Sequence, residues 1–100
     1  MRKTNLNINT MMNAMTNQII AYGLTQEEAQ AAMRAINNKF MCAPEYITVT
    51  TDPSDIFSLR AGEVNLVGVK AHESDQQQWT KLMPVCRYMR ANDIKYLIIK

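Results

Sequence analysis

The chain reads as an α+β domain: an N-terminal αα-hairpin packed on a small mixed sheet of three or four strands, with a C-terminal β-α-β unit whose helix is kinked by a proline. Three observations predict this. Apolar residues recur at helical spacing on both sides of Gly23; the run Tyr46-Ile47-Thr48-Val49-Thr50 is β-branched and aromatic; and residues 64–100 hold two apolar runs around a long amphipathic stretch. One hundred residues support one core and not two, so residues 1–100 are read as a single domain.

The elements follow in order. Residues 4–9 are Asn-rich with Leu6 and Ile8 alternating, which fits a short edge strand or an ordered arm. Thr10 is placed to cap a helix carrying Met12, Met15, Ile19 and Tyr22, and Gly23 ends it by taking a left-handed conformation. Thr25 and Glu28 form a capping box for a second helix with the apolar stripe Ala29, Ala32, Met33, Ile36 and Phe40. The loop from Tyr22 to Thr25 then folds the two helices into a hairpin. Residues 46–50 form a strand, Asp52-Pro53-Ser54-Asp55 a turn, and Ile56 to Leu59 either a short strand or an ordered turn.

The last third is the clearest. Val64 to Val69 is a strand bounded by turn residues, and Ser74 with Gln77 repeats the capping-box pattern. The helix that follows places Trp79, Leu82, Met83, Cys86 and Met89 on one face, with Pro84 toward solvent, where it bends the helix without ending it. Asn92-Asp93 stops the helix. The nearly unbroken apolar run from Ile94 to Ile99 suits an interior strand covered on both faces, and the connection from Lys70 to Asp93 is long enough for a parallel crossover. If Ile98 and Ile99 are not both covered within one chain, that strand exposes an edge and favours a homodimer.

Composition narrows the function. The apolar fraction is 47% and the net charge +2, with basic and acidic residues largely interspersed, which is neither a nucleic-acid binder's basic field nor a disordered chain. Cys42 and Cys86 lack a metal-binding or redox spacing and read as buried, reduced thiols of a cytoplasmic protein. No apolar stretch approaches the length of a membrane span. The three glycines form no phosphate-cradling loop.

Few residues carry chemistry. His72 lies beside Glu73 and Asp75 at a strand end, a position that reads first as a solvated loop. Cys86 lies on the core stripe, where a thiol is inert, and Asp52 and Asp55 are explained by the turn around Pro53. Met11, Met12, Met15 and Met33, with Met83 and Met89, make the helix faces unusually rich in methionine, an adaptable side chain at protein-binding surfaces. Adjacent Met11 and Met12 cannot both face one core, so one of them is a candidate contact. Of Lys81, Arg87 and Arg90, the two arginines are neighbours on one helix face; they read first as a solvated polar face, with a phosphate-binding patch as the alternative.

Between Thr16 and Ile47 the chain carries Tyr22-Gly23-Leu24, Glu27, Ala29, Ala32, Arg34-Ala35, Asn37-Asn38 and Ala43-Pro44-Glu45-Tyr46-Ile47. In this spacing the segment resembles a ubiquitin-associated domain, a three-helix module that binds ubiquitin. The resemblance implies binding through Tyr22, Gly23, Leu24, Tyr46 and Ile47. The opening of the same segment is also similar to the first hairpin of HU-type DNA-binding proteins.

The expected function is therefore a small non-enzymatic protein that acts on another protein, as an inhibitor or adaptor of the kind a phage or mobile element encodes. The alternative is a nucleic-acid-binding accessory protein using the basic face of the helix over residues 75–91. Candidate binding residues are Met11, Met12, Tyr22, Leu24, Arg87 and Arg90, and neither a cofactor nor a metal is expected.

Overall fold

A computed structural model describes residues 18–72 and 75–100. Strands and helices alternate along the chain: β1 (Gln18–Tyr22), α1 (Gln26–Phe40), a 3-10 turn (Pro44–Tyr46), β2 (Ile47–Thr50), α2 (Ser54–Phe57), β3 (Val64–Lys70), α3 (Gln76–Ala91) and β4 (Tyr96–Ile99). All three strand pairings are parallel, and the order across the sheet is β2-β1-β3-β4. The combination of helices and strands is as expected, but the sheet is not mixed and there is no N-terminal αα-hairpin over the described residues.

The hairpin is replaced by a strand–helix pair because Gln18–Tyr22 is the central strand. Ile19 is fully buried and Ile20 is 7% exposed, on opposite faces of the sheet. A strand buried on both sides loses its alternation, so its apolar run matches a helical spacing as readily as a strand. The expected helix starts before the described residues, and Thr10, Met12 and Met15 lie outside them.

The chain leaves β1 in one direction to form β2, then returns across β1 to form β3 and β4, and this reversal puts helices on both faces. On one face Ala32 and Ile36 of α1 pack on Ile19, Ala21 and Ile47. On the other, Ile56 of α2 and Leu82, Val85, Cys86 and Met89 of α3 pack on Ile20, Tyr22, Val67 and Val69. The segment from Ile56 forms one helical turn, which docks on α3 through an edge-to-face contact of Phe57 with Tyr88 and a 2.7 Å bond from the Tyr88 hydroxyl to the Leu59 carbonyl.

Local signals explain the helix ends. The Thr25 hydroxyl accepts from the Glu28 amide at 3.2 Å, as the capping box requires. At α3 the cap is Asp75, whose carboxylate accepts from the Gln78 amide at 3.0 Å, and not Ser74, which lies outside the described residues. Asp is as good a cap as Ser, so the helix starts one residue later than the Ser74–Gln77 pattern predicts. Pro84 is exposed within α3, and the helix runs through it. Asn92 ends the helix by donating its side-chain amide to the Tyr88 carbonyl at 2.8 Å, and Asp93 follows with φ of 57°.

The apolar run at the C-terminus does not form an interior strand. β4 lies at the edge of the sheet, and all four of its residues are half-buried. Its apolar continuity reflects contact with α3 on one face and partial cover on the other, and it carries no information about strand order.

A candidate protein-binding edge and a capped crevice

Two places on this fold could be functional. The first is the crevice where the strand order reverses, between the C-terminal ends of β1 and β3, the usual ligand position in sheets of this kind. Gly23 makes the turn out of β1 so tight that a Cβ there would meet the backbone of α1, 2.7 Å from the Glu28 carbonyl carbon and 2.9 Å from Ala29 Cα. This brings the start of α1 against the start of α3. There Gln78, only 6% exposed, donates its side-chain amide to Glu28 and accepts from the His72 backbone amide at 2.6 Å. His72 Nε2 lies 3.5 Å from the same Glu28 carboxylate.

The remaining crevice is about 280 Å³, lined by Leu24, Thr25, Asp75 and Lys81 among others. Helix N-termini attract anions, but both are here capped by their own side chains and flanked by the carboxylates of Glu28 and Asp75. A phosphate would have to displace these bonds and approach two negative charges. His72 is drawn to Glu28 and not into a cluster with Asp75, and among the described residues no three potential ligands converge on a metal position.

The other pairings considered from sequence have local explanations. Burial pushes the Cys86 thiol above its ordinary range, which keeps it protonated and unreactive. Asp52 accepts from the Ser54 amide and hydroxyl, both at 2.9 Å, and the first of these bonds holds its carboxyl below the usual range. Asp55 accepts from the Thr50 hydroxyl at 2.5 Å. Each carboxylate holds its own turn.

The second place is β4. Its ladder to β3 ends in bonds from the Val67 amide to the Lys95 carbonyl at 3.0 Å and from the Ala71 amide to the Ile99 carbonyl at 2.9 Å. In a parallel ladder successive residues point their amide and carbonyl to opposite sides. Lys95, Leu97 and Ile99 therefore face β3, and Tyr96 and Ile98 point their backbone groups outward. No described strand pairs with that outer side.

Two clefts that share Arg90 and Tyr96 adjoin this edge. One of about 190 Å³ lies between α3 and β4, lined by Trp79, Met83, Arg87, Arg90, Tyr96 and Ile98. An open groove of about 650 Å³ lies at the start of β4, where Phe40, Leu66 and Leu97 meet Lys39, Arg90 and Lys95. Met83 is 42% exposed, one of the exposed large apolar side chains among the described residues. Arg90 donates to the Tyr96 hydroxyl at 3.0 Å, which keeps its guanidinium over the edge and raises its already high pKa. The cations have a structural origin as well: Lys39 and Arg90 occupy the last turns of α1 and α3, where the helix dipole favours positive charge.

The other edge differs. β2 is preceded by Pro44 and followed by Pro53, and its central residues are the exposed Thr48 and half-buried Val49. Prolines and polar residues blunt a sheet edge, whereas β4 presents Tyr96-Leu97-Ile98-Ile99.

The residues singled out from sequence are scattered. Arg87 and Arg90 line the cleft beside β4. Leu24 lines the crevice at the opposite end of the strands. Tyr22 is 1% exposed, because it points from the central strand into the layer under α3, and so it offers no binding surface. Met11 and Met12 lie outside the described residues. Reasoning from sequence missed Trp79, Tyr96 and Ile98 as site residues, since an aromatic or aliphatic side chain on an amphipathic element reads as core. The available signal was that Met83 and Trp79 extend the α3 stripe beyond the width one sheet can cover.

No protein-family model, curated protein or solved structure matches the chain. Among the described residues no helix is long and apolar enough to cross a membrane.

Proposed function

We propose that the protein acts by binding another protein, without chemistry of its own, and that β4 is the edge that receives the partner. The observation that carries this reading is the outward-facing backbone groups of Tyr96 and Ile98, with one apolar cleft beside them and another at the start of the strand. An extended segment placed there gains main-chain hydrogen bonds from the edge, and the clefts accept its alternating side chains. The crevice between β1 and β3, though about 280 Å³, is consistent with the same reading, because Glu28, Gln78 and His72 bond to one another and both helix starts carry their own caps. An inhibitor or adaptor role is consistent with this mode, in which a small domain occupies a strand-forming segment of its target.

The test is to capture partners from the native host with the wild-type chain and with Ile98→Pro. Proline removes the outward amide of residue 98 and is tolerated on an edge strand whose N–H faces solvent. A partner held at about one-to-one stoichiometry by the wild type and lost by Ile98→Pro, with folding retained, supports the reading. Equal capture by both excludes β4.

Nucleic-acid binding is the second reading, favoured by one observation: Lys39, Arg87, Arg90 and Lys95 gather around one edge. It requires an affinity that falls steeply with salt and is indifferent to Ile98→Pro.

A further inference from the structure

The charges around β4 indicate which segment it receives. Among the described residues lining the two clefts there are four cations, Lys39, Arg87, Arg90 and Lys95, against one carboxylate, Asp93, a net charge of +3. The floor between them is apolar and aromatic: Phe40, Leu66, Trp79, Met83, Tyr96 and Ile98. Resting on the proposed strand-adding role of β4, we infer that the partner presents an extended acidic segment in which apolar residues alternate with Asp or Glu. The apolar residues of such a strand lie on the cleft floors, and its carboxylates reach the cations on the rim.

The same charges disfavour a second copy of this chain. An edge-to-edge pair related by a two-fold axis, with Tyr96 opposite Ile98 of the other copy, would bring two regions of charge +3 together. Like charges across a strand pair are destabilising, and among the lining residues only Asp93, which precedes β4, offsets them. The acidic segment uses the same backbone groups and neutralises the rim.

The chain has a single tryptophan, Trp79, which lines the cleft and therefore reports its occupancy. The experiment titrates the full chain, by Trp79 fluorescence, with the capped peptide Glu-Val-Glu-Val-Glu-Val-Glu, its counterpart with every Glu replaced by Lys, and a single-stranded oligothymidine. Salt is about 20 mM in one series and about 300 mM in another. Exposed ion pairs are weak one by one, but three or four together favour the acidic peptide over the lysine peptide by about tenfold at low salt. That preference shrinks at high salt, and Ile98→Pro weakens binding of the acidic peptide by about tenfold or more.

The outcomes separate the inference from the reading beneath it. Equal binding of the two peptides, both weakened by Ile98→Pro, overturns the acidic preference and leaves strand addition standing. Binding of the acidic peptide that Ile98→Pro does not change overturns strand addition itself, as does binding of the oligothymidine alone. Failure of the acidic peptide to bind at low salt overturns the inference. So does light scattering that finds a dimer which the acidic peptide cannot displace, because a second copy then holds the edge.

Discussion

Replacing Gly23 with alanine should be the most damaging single-methyl change in the protein. The added Cβ would lie closest to the Ala29 amide nitrogen, and also 2.7 Å from the Glu28 carbonyl carbon and 2.9 Å from Ala29 Cα. All three are backbone atoms, so no rotamer relieves the overlap and α1 must retreat by about 1 Å to restore ordinary contact. A gap of that size weakens every contact Ala29, Ala32 and Ile36 make with the sheet, and overpacking of this kind costs about 3 kcal/mol. The other glycines provide controls. Alanine at 68 meets the Ile36 and Ile99 side chains, which can shift, so the cost falls to about 1–2 kcal/mol. At 62 it meets open space, and the cost, about 1 kcal/mol, comes only from holding a φ of 86°. Urea denaturation of the three variants reads these values directly. For a domain of this size the Gly23 variant should also melt roughly 12–24 °C lower. A Gly23→Ala protein within about 0.5 kcal/mol of wild type, or more stable than Gly62→Ala, would refute the close approach of α1 to β1.

Three further predictions concern other parts of the fold. Gln78→Ala leaves the His72 amide without its acceptor and removes the amide donor to Glu28 Oε2, so denaturation should show a loss of about 1–3 kcal/mol; a change below about 0.5 kcal/mol would mean that the crevice is not held by this network. Burial raises the pKa of both Cys42 and Cys86 above that of an unfolded thiol, so their contribution to stability is full below the ordinary thiol range and is lost as pH rises through the raised values. The Cys42→Ala, Cys86→Ala double variant should therefore lose stability less steeply between about pH 8 and 11, and an unchanged slope contradicts the assignment. Leu97→Pro removes an amide directed at β3 and should cost about 3 kcal/mol, whereas Ile98→Pro, directed outward, should cost clearly less; the reverse order in thermal melts would reverse the assignment of the β4 edge.

The parts of the fold legible in the sequence are those fixed by local chemistry. The Thr25 capping box, strand 47–50, the strand from Val64, the proline tolerated on the solvent side of α3 and the stop at Asn92 all depend on neighbours a few residues away. The rest depends on partners distant in sequence. Gln18–Tyr22 is central only because β2 and β3 flank it, and the side-by-side isoleucines that result look the same in a buried helix. Gly23 resembles a helix C-cap when read locally, but its role is to admit the backbone of α1. The edge position of β4 is a property of strand order, which apolar content does not encode. The candidate site was harder still to read: Arg87 and Arg90 stand out as charges and Trp79 shares their side of α3, but Lys39 and Lys95 join them only through tertiary packing.

The central claim, a strand-binding edge at β4 that no described strand pairs, is tested most directly by residue-resolved amide hydrogen exchange. In the free protein, Leu97 and Ile99 should exchange slowly, because their amides bond to β3, and Tyr96 and Ile98 should exchange much faster. Addition of the acidic Glu-Val peptide should slow Tyr96 and Ile98 and leave Leu97 and Ile99 unchanged. Tyr96 and Ile98 amides already as protected as their neighbours in the free protein would show that the edge is covered and would contradict the account.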